Sequence, residues 1–549
     1  MAELRWTPQQ ADALRSTVDT LLVANAGTGK TTTVVGKILW LLGLPFGLED
    51  DSGEPLSPPP ENQRAELHEI AAITFTEKAA ADLKRQLRAR IEASSRTDEL
   101  RWQIDRASIG TIHSFCGELL REHALRLGID PTFQVLDENE AWAEQDAVIK
   151  ELVLERLEEG DPRVAELLQA MSLADGEWNK GVVGHVRDVL RDLRWHRERY
   201  ERWLLAEDSA RRPGPPEWLE EAPPIGDLPG EAGSDEPDES VPDSVLDLDA
   251  LRAACAEWDD ADDLSLATCD TLLHLALEAL DRWESFLQED NARDFDSLIL
   301  DARELLRGPG GEAAKRGIRD RYRILVIDEF QDTDNAQRDI AFEIGRGVER
   351  PQLFLVGDPK QSIYRFRGAD VSVWNQVEAD FREDGAVLDL SRNFRCAPVI
   401  VDFVNRAAGA AMVSTGETLA EEEPGSRVRY ATLQAGLEGD EAAAVEWLEV
   451  DEETAAETRD AEARHVASRI LELVDHTEIA DPDSGQRRPL RFSDCALLYR
   501  ARTGLEHYET ALTRYGIPYF LSGAPHLNER QEILDTLNAL RVIRAPRDD

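Results

Sequence analysis

The segment from Thr20 to Trp40 constrains the fold more than any other. An apolar run, Thr20-Leu21-Leu22-Val23, enters Ala24-Asn25-Ala26-Gly27-Thr28-Gly29-Lys30-Thr31, and a helical pattern follows to about Trp40. The middle stretch departs from the GxxxxGK[ST] phosphate loop only in having Ala24 for the first glycine. Glycines let successive backbone N–H groups point inward at phosphate oxygens, and the helix start adds the positive end of its dipole. In such a loop Lys30 reaches the β- and γ-phosphates, and the Thr31 hydroxyl ligates Mg²⁺. The competing reading is a Gly-rich turn that precedes a helix by chance. The apolar strand in front and the helix behind argue against it.

Further along, apolar strands alternate with helical patterns. Ile70-Ala71-Ala72-Ile73 runs into a helix from Glu77, and Ile324 to Ile327 and Leu353 to Val356 each deliver polar residues at their C-terminal ends. That alternation predicts a parallel α/β sheet with ligands at the C-terminal edge of its strands. Residues 116–210 are mostly helical by period, and the pattern resumes to about Leu306. Between Arg212 and Arg252 there is no Lys or Arg, while Pro, Gly, Asp and Glu dominate; this reads as a solvated, disordered insertion. A second α/β stretch starts near Val387. With 549 residues, three or four domains are expected at roughly 100–200 residues each.

Charge bounds the partners less than it first suggests. The formal charge is −48, which argues superficially against nucleic acid, but only eight residues are lysine and nearly all positive charge is arginine. An acidic, lysine-poor surface resembles that of proteins from halophilic organisms, where molar salt screens charge within a few ångströms. Local charge then matters more, and it gathers at Lys78, Lys84, Arg85 and Arg88, and again at Lys360, Arg365 and Arg367. No apolar run approaches the roughly 18 residues that span a bilayer, and the start does not read as a signal peptide. The five cysteines lie far apart, so a disulfide scaffold or a cysteine metal site is not expected. The expected setting is cytoplasmic, with no membrane partner.

Two further segments carry chemistry. In Val326-Ile327-Asp328-Glu329, Asp328 at a buried strand end suits Mg²⁺, and Glu329 suits polarisation of an attacking water. Alone, such a pair is equally a solvated turn; Phe330-Gln331-Asp332-Thr333 gives it force. Gly357-Asp358-Pro359-Lys360-Gln361-Ser362-Ile363-Tyr364-Arg365-Phe366-Arg367-Gly368 interleaves rings and cations, as base stacking and phosphate neutralisation on a single strand require. The i, i+2 spacing of Tyr364 and Phe366 fits one face of a short core strand as well.

Taken in order, these segments resemble a superfamily 1 helicase of the UvrD/Rep group, with the third-motif wording GDPKQSIYRFRGAD nearest the RecB and AddA branch. Trp6-Thr7-Pro8-Gln9-Gln10 resembles the adenine-reading Q motif, with Gln10 the reader. Ala24 to Thr32 is the Walker A segment. Ile73 to Leu83 and Gly110 to Phe115 resemble the two motifs that contact single-stranded DNA, which implies contacts from Thr74, Phe75, Thr76, Lys78, Thr111 and His113. Asp328 to Thr333 is the DExQDT box, and Ser391-Arg392-Asn393-Phe394-Arg395 resembles the fourth motif. Gly516 to Tyr519, Glu529 to Ile533 and Leu537 to Ile543 resemble the stretch before that family's large insertion in its second motor domain.

The resemblance implies an α/β fold of two RecA-like P-loop NTPase domains. Residues 1–115 and 291–384 would form the first, 116–290 a mainly helical insertion carrying a disordered acidic loop at 213–250, and 385–549 the second, incomplete at its C-terminus. It implies ATP and Mg²⁺, with Ala24, Asn25, Ala26, Gly27, Thr28, Gly29, Lys30, Thr31 and Thr32 on the phosphates. Gln361 would sense the γ-phosphate, Phe394 would stack on adenine, and Arg395 would act as an arginine finger. Tyr364 and Phe366 would stack bases with Arg367 in support. The implied activity is an ATP-dependent 3′→5′ single-stranded DNA translocase or helicase in double-strand-break repair and recombination. Its implied partners are single strands, DNA ends and, as a candidate, a second helicase/nuclease subunit. The fifth and sixth motifs of the family have no counterpart in the sequence. The alternatives are one half of a split motor and an ATP-binding DNA or protein adaptor that has lost translocation.

Overall fold

The computed structural model describes residues 4–50, 52–94, 96–174, 180–204, 261–346, 350–364, 369–412, 428, 430–437, 444–450, 454–481, 486–499, 504–522 and 536. The expected acidic loop at 213–250, and Phe366 and Arg367, lie outside them.

The first lobe is built on six strands: β1 (Thr20–Ala24), β2 (Ile70–Thr74), β3 (Ser108–Thr111), β4 (Ile324–Ile327), β5 (Gln352–Gly357) and β6 (Ala386–Leu390). All are parallel, in the order β6-β1-β5-β4-β2-β3. Leu390 pairs with Ala24, Val23 with Gly357, Leu355 with Ile327, Ile327 with Ile73, and Thr74 with Thr111. The strands therefore end together, and their C-terminal residues line one edge.

Alternate residues of each strand feed two apolar layers. Leu22, Ala72, Val326 and Phe354 meet Leu14 of α1 (Pro8–Arg15), Ile38 and Leu39 of α2 (Lys30–Leu41), and Leu83 and Leu87 of α3 (Glu77–Glu92). Leu21, Ile73, Leu325 and Leu355 meet Leu119 and Leu120 of α4 (Ile112–Leu127) and residues of the helices Phe295–Arg307, Asn335–Gly345 and Val371–Asp384. A strand buried on both faces must be apolar throughout, which is why these segments read as continuous apolar runs rather than alternating ones.

Two expected boundaries move. Helix α4 lies on the sheet, with Cys116, Leu119 and Leu120 in its core, so the insertion begins after it rather than at residue 116. The chain leaves the lobe through Gln134–Val135 and returns through Ala292–Arg293, which pair in parallel. Between them, helices Glu138–Glu158, Pro162–Ala170, Val182–Leu204 and Ala261–Glu289 enclose a separate core that includes Ile149, Leu152, Val186, Leu190, Ala276 and Leu280. At the other boundary, β6 joins the first sheet beside β1, so the first lobe runs to Leu390 rather than to 384.

The second lobe is also α/β. Helix Pro398–Met412 lies in the chain between Arg392–Asn393 and Gln434–Ala435, which form a two-residue parallel pair. Helix Ala455–His476 packs Ala463 and Ala467 against Ala511, Leu512 and Ile517, and Glu478–Ala480 pairs antiparallel with Arg487–Pro489.

Candidate functional site

The phosphate loop follows directly from β1. Thr28 donates to the carbonyl of Asn25 through its N–H at 3.2 Å and its hydroxyl at 2.7 Å, which closes the turn. Gln10 braces it from below: Nε2 donates to the Thr28 carbonyl at 3.1 Å, while Oε1 accepts from the N–H of Thr7 at 3.0 Å in a capping box that starts α1. Its amide keeps one N–H and one lone pair for any base edge. Thr31 and Thr32 stand in the first turn of α2, half-buried.

The second lobe rests on this loop. Asn393 Nδ2 donates to the Ala26 carbonyl at 2.8 Å, and the Phe394 N–H donates to the Gly27 carbonyl at 2.8 Å. Gly27 has φ +74°, and a Cβ there would lie 2.6 Å from Asn393 Nδ2 and 2.8 Å from Arg395 Cβ. Glycine is thus required both by its backbone and by the close approach. Asn25 donates its Nδ2 to the Leu390 carbonyl at 2.9 Å. Phe394 is exposed on the rim, its ring 5.3 Å from the guanidinium carbon of Arg392, which pairs with Asp50 at 2.7 Å. Arg395 is exposed, its Cβ over Gly27.

Opposite the loop, Lys30 Nζ lies 2.8 Å from Glu329 Oε2. Glu329 has φ +54°, a left-handed backbone that costs a side-chain-bearing residue about 1–2 kcal/mol. Strain of this kind at the end of a core strand marks a functional turn. Burial, and then the neighbouring Glu329 charge, push the Asp328 carboxyl up to about 6, against a smaller opposing pull from Lys30. The same two causes push Asp332 up to about 6. One oxygen of Asp332 is buried with no hydrogen-bond partner among the described residues.

Gln331 is the crossroads of the site. Nε2 donates to Glu329 Oε2 at 3.0 Å and to Asp332 Oδ2 at 3.1 Å, while Oε1 accepts from the Asp358 N–H at 2.9 Å. Gly357 permits this, since a Cβ there would lie 2.5 Å from Gln331 Oε1. Asp358 then holds Gln361, whose Nε2 donates to Oδ2 at 2.8 Å. Three residues on, Tyr364 packs its ring 5.0 Å from that of Phe75 with the planes 31° apart. Hydrogen bonds, one turn and a ring contact therefore join the phosphate loop to two of the aromatic residues expected to meet a strand.

The other expected strand contacts lie along the same edge. Thr74 is buried at the end of β2, its hydroxyl donating to the Thr76 carbonyl at 3.1 Å. Thr76 caps α3 through the Ala79 N–H, and Lys78 is exposed in its first turn. Thr111 caps α4 and donates to Glu77 Oε1 at 3.0 Å, which ties the two segments together. His113 differs from the others. Its ring lies 4.8 Å from that of Phe295, and burial, opposed by Glu77, depresses its pKa to about 4, so at neutral pH it presents no cation to a phosphate.

The donors available for a metal fit magnesium. Among the described residues no group of three or more His, Cys, Asp and Glu is placed to hold a metal ion. That leaves the carboxylate of Asp328, which accepts the Glu329 N–H at 3.0 Å, and the hydroxyl of Thr31. Hard oxygen donors in so small a number suit an ion that takes its remaining ligands from phosphates and water.

The bonds that Asn393, Gln331 and Lys360 make in this network are not legible in the sequence. Each residue stands inside a recognisable segment, but its partners lie far away in the chain, and nothing local announces them.

A family model described as the UvrD/REP helicase N-terminal domain matches residues 6–382, and one described as the UvrD-like helicase C-terminal domain matches residues 388–549. Proteins named as A-type subunits of ATP-dependent helicase/nucleases are similar along nearly the whole chain. The one from Carboxydothermus hydrogenoformans is 25% identical, covering 99% of this chain and 52% of that protein. The one from Geobacillus kaustophilus is 27% identical, covering 99% and 51%. The chain spans about half the length of the curated relatives it matches. No helix among the described residues is long and apolar enough to cross a membrane.

Proposed function

Because the chain belongs to the UvrD/Rep helicase family, we propose that it is an ATP-driven motor on single-stranded DNA. The observation that carries this reading is the path from Lys30 through Glu329, Gln331 and Asp358 to Gln361 and the Phe75–Tyr364 pair. It gives the nucleotide a physical route to the strand.

In this reading the triphosphate lies on the loop N–H groups, and Lys30 exchanges Glu329 for the β- and γ-phosphates. Asp328 and Thr31 would hold Mg²⁺, which neutralises phosphate charge. Glu329, released, orients and polarises the water that attacks the γ-phosphorus as the bond to the bridging oxygen breaks. Arg395 approaches from the second lobe and stabilises charge that develops in the transition state. Gln361 registers the presence of the γ-phosphate, and Phe394 stacks on the base with Gln10 nearby. Closure on ATP and opening after hydrolysis move two grips along the strand. One grip comprises Thr74, Phe75, Thr76, Lys78 and Thr111 with Tyr364; His113 packs behind it. Phe366 and Arg367 extend the grip in this proposal.

Likeness to the A-type helicase/nuclease subunits supports a finer assignment: 3′→5′ movement, double-strand-break end processing, a cytoplasmic setting, and partnership with a second helicase/nuclease subunit. The test is ATP hydrolysis by the full chain with and without a single-stranded oligonucleotide, at molar and at low salt. Stimulated turnover that disappears in Lys30→Ala supports the motor; tight nucleotide binding without stimulation replaces it with an ATP-responsive adaptor.

A further inference from the structure

We infer that Lys360 is a positioning residue that transmits the state of the Phe75–Tyr364 pair to the phosphate loop, an inference that rests on the motor reading above. Lys360 has a tie to each: it stands four residues before Tyr364, and its ammonium reaches Asn25 of the phosphate loop. It follows Asp358 at the end of β5 and precedes Tyr364 by one turn. Its side chain is only 12% exposed, and its ammonium bonds Asn25 Oδ1 and, at 2.9 Å, Asp358 Oδ1.

Each partner is itself fixed. Asp358 is buried; its Oδ1 also accepts the Lys360 N–H at 3.1 Å, and its Oδ2 accepts from Gln361 at 2.8 Å. Asn25 is buried as well. Its Nδ2 reaches the Leu390 carbonyl at 2.9 Å, where β6 leads into the second lobe, and its own carbonyl takes both bonds from Thr28. A single ammonium therefore touches both the turn that carries Tyr364 and, near the start of the phosphate loop, Asn25. Through Asn25 it also reaches the strand that enters the other lobe.

The alternative, a second phosphate-binding lysine beside Lys30, fits less well, because the Lys360 ammonium already has a buried carboxylate and a buried amide oxygen as partners. Removing it strands the Asp358 carboxylate in a dry site and unties Asn25. A base entering between or beside the rings shifts the 358–364 turn, and Lys360 carries that shift to Asn25 and the loop amides.

The test compares the full-length wild type with Lys360→Met, which keeps the aliphatic stem, and Lys360→Arg, which keeps the charge. ATP hydrolysis is measured with and without oligothymidylate, and hydrogen exchange of the amides of residues 25–28 is measured without ligand. In Lys360→Met the stimulation by DNA should fall by about tenfold, within the usual range of site-to-site coupling, while the KM for ATP without DNA stays put. Exchange at residues 25–28 should quicken by about tenfold as one bond to the loop is lost. Lys360→Arg should recover most of both. Unchanged stimulation, unchanged exchange, or an ATP KM raised equally with and without DNA would overturn the inference. If the wild type hydrolyses ATP but ignores DNA, the motor reading fails instead, and the exchange comparison by itself still decides whether Lys360 clamps the loop.

Discussion

Lys30 and Glu329 meet head to head, with Nζ and Oε2 2.8 Å apart at the mouth of the phosphate loop. The side chain expected to bind phosphate and the one expected to activate water thus hold each other, and in the proposed motor a nucleotide would separate them. Glu329→Gln removes the competing anion together with the base. Nucleotide affinity should then rise by about threefold to tenfold, since a part-exposed ion pair is worth up to about 1 kcal/mol and repulsion of phosphate adds to it. Turnover should fall by about 10²–10⁴-fold. Titration with a fluorescent ATP analogue beside steady-state hydrolysis checks both; weaker binding in Glu329→Gln would show that the pair does not gate the loop.

Asp328 makes the site acid-sensitive. Burial and the Glu329 charge raise its pKa from 3.8 to about 6, so ionisation is easier in the unfolded chain than in the fold. Its favourable contribution is therefore complete below about pH 4 and lost as pH rises through about 6. Asp328→Asn should raise the thermal midpoint at pH 7.5 by about 2–4 °C, the shift that 1 kcal/mol gives a domain of this size, and leave it unchanged near pH 4. The Mg²⁺ concentration that half-saturates turnover of the wild type should rise below about pH 6, because the metal must then displace a proton from the carboxylate. Calorimetry across that range, with a parallel rate profile, checks the sign.

The ring pair makes a separate claim. Tyr364→Ala and Phe75→Ala should each weaken binding of oligothymidylate by about 5- to 150-fold, the equivalent of one stacked base, whereas Tyr364→Phe should change little. Anisotropy of a labelled oligonucleotide measures it. Equal losses in the alanine and phenylalanine variants of Tyr364 would point to its hydroxyl rather than its ring.

Arg194 and Asp294 join the helical insertion to the first lobe. The pair is nearly dry, with a 2.5 Å contact, and Asp294 also accepts from Trp283 Nε1 at 3.1 Å and caps the helix Phe295–Arg307 through the Ser297 N–H at 2.9 Å. Arg194→Met leaves that carboxylate without its cation, which should cost about 3–5 kcal/mol. Urea unfolding followed by tryptophan fluorescence reads the loss, and a stability within about 0.5 kcal/mol of wild type, the range of a neutral surface change, would contradict it.

Much of the first lobe could be read from sequence because its chemistry is written locally. The glycines around Lys30, the apolar runs of β1, β4 and β5, and the acidic pair after β4 each announce a conformation within a few residues. What could not be read depends on partners far along the chain. Ala386 to Leu390 reads as a strand, but nothing in those residues tells that it pairs with Thr20–Ala24 rather than with the second lobe. The apolar period of Ile112–Leu127 gives a helix without saying that Cys116 and Leu119 lie on the sheet instead of in the insertion. His113 sits in a segment that resembles a DNA motif, yet only the fold places Phe295 against it.

In the proposed motor the loop at Lys30 and the rings at Tyr364 communicate. The most direct measurement is the affinity of oligothymidylate for the full chain with and without a non-hydrolysable ATP analogue, together with the affinity of that analogue with and without oligothymidylate. The two ratios should be equal and should differ from one by about fivefold or more. Two affinities that each ignore the other ligand would contradict the account.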